Sequence, residues 1–321
     1  MSLSAYFGSL SVANLLSRMP AAAAQGMIWG LMALGVFITF RVLDIADLTV
    51  DGSFATGGAV TVMLLLAGWP SWAALLAAFA AGVLTGLVTG LLHTKLGIPA
   101  ILAGILTQFS LYSINLRIMT KANQTASIKK FGMFWEGPKG FLLSSLYVPQ
   151  AIAVGFVLAV VAIGLLYWYF GTEQGSAIRA TGANPAMSRA QGINIDAMKV
   201  LGLSLSNGMV ALSGGLMAQY QGFADINMGR GAIVIGLAAV IIGEVLCDAF
   251  FRKGCNFSVR LGFVVLGGIV YYLVMVLILW LKLDPNDLKL FTAVIVAAFL
   301  AVPYLKGQAK SSFHRLKKGG K

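Results

Sequence analysis

The sequence predicts an all-α polytopic membrane protein with about nine transmembrane helices, and three features predict it. Of 321 residues, 59% are apolar and only 11% are charged, whereas soluble domains are about half apolar and about a quarter charged. The mean hydropathy is +0.87. The apolar residues gather in nearly charge-free runs of about 20 residues, the length an α-helix needs to cross a hydrocarbon core. A soluble enzyme, a disordered chain and a fibrous protein are disfavoured together. A net charge of +12 would suggest nucleic acid in a soluble protein. Here the basic residues lie between and after the apolar runs, which fits loops beside anionic lipid and no nucleic-acid partner.

Residues 1–20 come first. Leu3, Tyr6, Phe7 and Leu10 recur at helical spacing and predict a short amphipathic helix lying on the membrane surface. No secretory signal is read there, because the first basic residue is Arg18 and Met19-Pro20 is no small-residue cleavage site. A permease domain then fills 21–305. Its nine apolar runs are Ala21–Phe40, Ser53–Trp69, Trp72–Leu92, Ile98–Leu116, Val148–Phe170, Val200–Phe223, Gly231–Phe251, Leu261–Leu281 and Leu290–Leu305. The second and ninth are short, and the seventh carries Glu244 and Asp248. Residues 306–321 form a basic tail with Lys306, Lys310, Arg315, Lys317, Lys318 and Lys321. The positive-inside rule puts that tail in the cytoplasm, and nine spans then put the N-terminus outside. In this orientation most of the 23 basic residues fall on the inner side. Residues 119–147 become an external loop. Phe131, Phe134, Trp135 and Phe141 in it suit an interfacial helix and a contact with an external partner.

Glycine supplies 38 residues. Gly82, Gly86 and Gly90 make two successive small-xxx-small steps, and Gly26 with Gly30 makes another, a pattern that lets membrane helices approach closely.

The segment 171–199 is a polar island between two apolar runs. Asn184 is a good N-cap, Pro185 suits the first helical position, and Gly192 suits a left-handed position just past a helix. These signals predict a two-turn helix over Pro185–Gln191, about 10 Å long, with Asn194 or Asp196 capping the next span. A short helix with stop signals at both ends is a docking element, where a plain linker would lack them.

The run A-x-G-A-N-P-x-M-S-R-A-x-G-I-N over Ala180–Asn194 resembles the coupling-helix loop of ABC importer permeases of the ribose/branched-chain amino acid type. The stretch ADLTVDGSFATGGA from Ala46 is similar to the D-L-S-V-G-S segment of the sugar permeases, with Asp51-Gly52 standing where that segment often has one glycine. Within the family the wording is closest to permeases paired with tryptophan- or tyrosine-binding lipoproteins. The resemblance implies that Asn184, Pro185, Met187, Ser188, Arg189, Gln191 and Gly192 couple the chain to a cytoplasmic ATPase. It also implies an external binding lipoprotein as partner and an aromatic or other hydrophobic amino acid as cargo.

Other polar residues are weighed singly. Asp44, Asp47 and Asp51 would share one face if helical. They form either a gate or ion pair at the inner end of a pathway, or a wet turn with Arg41 as neighbour. Glu244 and Asp248 predict an ion pair, with Arg252, Lys253 and Arg260 as partners. Gln108, Asn115 and Asn207 lie within spans and need partners in hydrocarbon. Asn207 is the best pathway candidate among them, since Gly208 beside it permits a local break in the helix. Cys247 and Cys255 have no metal-ligand spacing and are read as buried or interfacial thiols. No metal site is expected.

The chain has no G-x-x-x-x-G-K-[ST] phosphate loop. An ATP-driven role therefore needs ATP and magnesium at a separate ATPase, so the chain itself is no enzyme. One chain would supply half a pathway, which predicts a second copy of itself and two ATPases in a prokaryotic cell membrane. The alternative is an ion-coupled secondary transporter, which would use a midplane ion site, and the sequence has no evident midplane carboxylate.

Overall fold

A computed structural model describes residues 12–126, 132–134, 137, 140–251, 255–280 and scattered helical positions from 290 to 301. The elements in order are α1 (Val12–Phe37), a π-helical turn (Ile38–Val42), α2 (Val50–Leu66), α3 (Ser71–Thr94), α4 (Ala100–Met119) and β1 (Asn123–Thr125). There follow α5 (Val148–Gly171), α6 (Glu173–Ala183), α7 (Pro185–Ala190), α8 (Ile195–Gln221), β2 (Phe223–Asp225), α9 (Ala232–Phe250) and α10 (Phe257–Trp280). Among the described residues seven helices are long and apolar enough to cross a membrane, and α2 is an eighth, shorter one. These eight correspond to the first eight apolar runs. The ninth run, 290–305, lies largely outside the described residues, as do 1–11, 127–131, 135–136 and the tail.

The first span departs from the expected boundary at Ala21. The helix is already formed at Val12 and runs through Pro20. Arg18 ends the apolar run without ending the helix, since a charged residue near a span end can reach the interface.

The core is organised around α8, which packs on α3, α2 and α1. Glycine decides how closely. A Cβ at Gly82 or Gly86 would overlap the carbonyl of Asn207 or Leu203 in α8, and one at Gly90 would press on Val200. The triple read in the sequence is therefore one seam, along which α3 lies backbone to backbone on α8. Gly26 and Gly30 make the same kind of seam with Gly268, Ile269 and Val265 of α10. Gly267 of α10 abuts the Ala239 carbonyl of α9. By contrast α4 and α5 are peripheral, with Phe109, Tyr112, Phe156 and Trp168 exposed.

At one end of the bundle β1 pairs antiparallel with β2, Asn123 opposite Asp225. The opposite end carries α6 and α7. Helix α8 is continuous across Asn207 and Gly208, where the sequence permits a break. Gly208 serves packing instead, because Phe79 and Val83 of α3 fill the space beside it. Cys247 and Cys255, expected as thiols, are joined in a disulfide that links the end of α9 to the approach to α10.

Candidate functional site

Two polar regions stand out. The first is the short helix α7. Asn184 Oδ1 accepts the Met187 backbone N–H at 3.0 Å, so the cap is formed. Pro185 occupies the first helical position. Gly192 has φ +82° and ends the turn in the left-handed region. Asn194 Oδ1 accepts the Ala197 N–H at 3.1 Å and starts α8. Helix α7 therefore stands as a separate two-turn unit, ending at Ala190 with Gln191 as its C-cap. Met187, Arg189, Gln191 and Gly192 face outward, with Met187 58% exposed. Ser188 points the other way: it is buried, and its hydroxyl donates to the Asn184 carbonyl at 3.0 Å.

Helix α6, which the sequence shows only as part of a polar island, precedes α7. Its signal is Thr172, whose Oγ1 accepts the Gly175 N–H at 3.3 Å, followed by Glu173 in the first turn. Gly182 of α6 packs on the Val42 carbonyl at the end of the π-helical turn. Arg179 of α6 lies over the Phe257 ring, 5.9 Å from its centroid. The α6–α7 unit thus touches both the end of the first span and α10.

The second region is a polar network inside the bundle. Asp44, Asp47 and Asp51 do not share a helical face. The π-helical turn ends at Val42, Asp44 adopts φ +55°, and the chain runs without regular structure to Asp47 before α2 begins. Asp44 is exposed, as a wet turn requires, but Asp47 is 3% exposed, which overturns that reading at Asp47. Its Oδ1 accepts the Thr49 N–H at 2.9 Å and its Oδ2 accepts Asn207 Nδ2 at 2.7 Å. Ser53 Oγ donates to Asn207 Oδ1 at 2.6 Å and lies 2.7 Å from Thr85 Oγ1. Thr49, Thr89 and Thr107 continue the chain of hydroxyls at 2.8 and 2.9 Å. Asn207 lies near the middle of α8, roughly 18 Å from its first residue at 1.5 Å per residue. A carboxylate therefore does sit at mid-bundle depth, although none is evident in the sequence. The threonines carry no signal of their own, because a hydroxyl can also satisfy itself on its own helix, as Thr107 does on the Ala103 carbonyl.

Asp51 has a different task. Its Oδ2 accepts the Gly231 N–H and its Oδ1 the Ile233 N–H, each at 3.0 Å, so it caps α9 across 180 residues of sequence. Helix α9 consequently begins inside the bundle. Beside it lies a cleft of about 290 Å³ whose walls include Asp51, Gln108, Phe109, Tyr112, Asn115 and Arg230. Gln108 and Asn115 both reach this cleft, whereas Asn207 is sealed in the network behind it. Arg230, Phe109 and Tyr112 are not singled out by the sequence. Arg230 looks there like a loop cation, and aromatic residues on a span look like lipid contacts.

Glu244 is paired with Arg41, while Arg252 and Lys253, expected as partners, lie outside the described residues. Arg41 Nε donates to Glu244 Oε1 at 2.6 Å. The partner lies some 200 residues away, beyond what spacing in the sequence reveals. Among the described residues no group of three His, Cys, Asp or Glu could hold a metal ion.

Seven helices long and apolar enough to cross a membrane, with a cleft beside the start of α9, make the chain a multi-pass membrane protein. Residues 19–303 match the family described as "Branched-chain amino acid transport system / permease component", and the chain belongs to that family. It is a permease component of an ABC-type transport system in a prokaryotic membrane, a family of transport components and not of catalytic enzymes. Such systems work with ATPase and binding-protein partners. The chain is 37% identical over 292 residues to the tyrosine transport system permease protein of Clostridioides difficile (strain R20291), covering 91% of this chain and 93% of that one. It is 27% identical over 196 residues to the ribose import permease protein RbsC of Escherichia coli (strain K12), covering 59% and 57%. A probable branched-chain amino acid permease, LivH of Methanocaldococcus jannaschii, is 25% identical over 201 residues, covering 57% and 60%.

Proposed function

We propose that this chain is the translocation subunit of an ATP-driven importer for an aromatic or other hydrophobic amino acid. The α7 end faces the cytoplasm and the β1–β2 end faces outward, with the N-terminus outside and the basic tail inside. The observation that carries the reading is α7 itself, capped at both ends and exposed through Met187 and Arg189. Met187 is a flexible apolar anchor for an irregular groove, and Arg189 supplies a charge-assisted hydrogen bond. Motion of the ATPase then enters through α6 to the end of the first span and to Phe257 of α10. ATP and magnesium act at the ATPase.

The cleft supports a homodimer with two ATPases. An arginine at bilayer depth costs about 2.5–3.5 kcal/mol on insertion scales, so the face bearing Arg230 and Asp51 meets water or protein and not lipid. A second copy covering that face encloses a pathway lined by both cleft walls. An external binding lipoprotein delivers the substrate to the β1–β2 end. The amino-acid cargo follows from the extent of the likeness to the tyrosine permease. The test is co-purification: the permease expressed with an ATPase subunit should carry it through detergent extraction at one ATPase per permease. A permease that extracts alone, and takes up its substrate on an ion gradient without ATP, contradicts the reading.

A further inference from the structure

We infer that the cleft between α2, α4 and the start of α9 is a recognition site for the zwitterionic head of an α-amino acid, with the side chain of the ligand lying on Phe109 and Tyr112. The inference rests on the transport role proposed above and adds where, and by what chemistry, the permease itself reads its cargo.

Four observations converge on the cleft. Asn115 is 1% exposed, lines the cleft, and its Oδ1 has no hydrogen-bond partner. A buried acceptor without a donor costs free energy that a donor from a ligand would recover. Arg230 is exposed on the opposite wall, and its guanidinium makes no ion pair among the described residues. Its place is fixed by Asp51, which holds the next residue, Gly231, by its backbone N–H. The Asp51 carboxylate accepts backbone N–H groups at the start of α9 and adds negative charge to the wall. Phe109 and Tyr112 are 71% and 47% exposed and sit on α4 between Gln108 and Asn115.

These groups match one ligand class. A guanidinium takes a carboxylate in a paired, planar fashion. The Asn115 carbonyl and the nearby Asp51 charge suit an ammonium, which has three donors and no acceptor. Two exposed rings suit an aromatic or branched apolar side chain. A sugar fits poorly, because it brings no full charge to Arg230. A cleft of about 290 Å³ lies near the lower limit for small-ligand sites, suited to one amino acid.

The test uses the purified permease–ATPase complex without the binding protein, so that selection by that protein does not enter. Equilibrium binding of radiolabelled L-tyrosine, L-tryptophan and L-leucine is measured in competition with tyramine, which lacks the carboxylate, and with 3-(4-hydroxyphenyl)propionate, which lacks the ammonium. At least one amino acid should bind, and each deaminated or decarboxylated analogue should bind at least ~10-fold more weakly. Arg230→Gln should weaken the amino acid and leave tyramine unchanged. Asn115→Leu, close in volume, should weaken the amino acid and leave the propionate unchanged. Retention of the ATPase by each variant reports that it is folded. The inference is overturned if no amino acid binds, or if folded variants lose affinity for the amino acid and the analogues alike. Should both variants import normally with binding protein and ATP, the cleft is not the recognition site while the importer role stands. Absence of ATP-driven uptake in the wild type would instead defeat the importer role.

Discussion

Arg41, at the end of the first span, and Glu244, near the end of α9, form a direct ion pair with Nε and Oε1 2.6 Å apart. The pair ties together two helices at the end of the bundle that carries the α6–α7 unit, since Val42 beside Arg41 is the residue on which Gly182 rests. Its side chains are 53% and 18% exposed, so solvent weakens it. A double-mutant cycle with Arg41→Ala and Glu244→Gln should give a coupling of no more than ~1 kcal/mol. The charge reversal Arg41→Glu should lower the melting temperature, and adding Glu244→Arg should recover it. A melting temperature unmoved by Arg41→Glu would show that the two groups do not interact in the folded protein.

Close helix packing makes a graded prediction about glycine. Gly267→Leu drives a side chain into the Ala239 carbonyl, whereas a Cβ at Gly262 would meet nothing within 4 Å. Leucine at 267 should reduce the yield of monodisperse permease severalfold, and leucine at 262 should leave it near wild type. Equal yields from the two variants would remove the packing explanation. The small-residue pattern of the sequence does not separate the two glycines; only the structure does.

The buried network predicts a stability loss with little change in shape. Asn207→Leu deprives Asp47 Oδ2 and the Ser53 hydroxyl of a partner in one step. Leaving buried polar groups unpaired costs on the order of 1–3 kcal/mol. The expected result is a lower thermal midpoint with unchanged helical content by circular dichroism. A midpoint equal to wild type would mean that Asp47 finds water or another donor when Asn207 is gone.

Capping of α7 sets a smaller effect. Asn184→Ala removes the acceptor of the Met187 N–H and should cost about 1 kcal/mol of helix stability. Transport should fall partially, while Asn184→Asp, which keeps an acceptor at that position, should stay close to wild type. If alanine and aspartate behave alike, the cap does not govern the loop.

Much of the fold is legible in the chain itself. Apolar runs locate eight helices, because lipid requires backbone groups to bond within their own segment. The Asn184, Pro185 and Gly192 signals outline α7, because caps are local chemistry. What stays hidden depends on distant pairing. Asp47 looks solvated because its partner Asn207 is 160 residues away. Asp51 looks like a gate because the α9 N–H groups it binds belong to another segment. Arg230 looks like a loop cation because nothing local says that its turn folds back into the bundle. Helix α6 is hidden for a different reason: its polar surface masks an ordinary Thr172 cap.

Docking of an ATPase on α7 would depend on Met187, and Met187→Asp probes it. Met187 is exposed on the free helix, so the substitution should spare insertion and folding. In a water-excluding groove it would bury an unpaired carboxylate, a cost that binding cannot recover. ATP hydrolysis is measured with the reconstituted permease, ATPase and substrate-loaded binding protein. The Met187→Asp permease should insert normally but no longer stimulate hydrolysis. Stimulated hydrolysis and uptake at wild-type levels would contradict it, because α7 would then not be the element through which the ATPase drives the membrane helices.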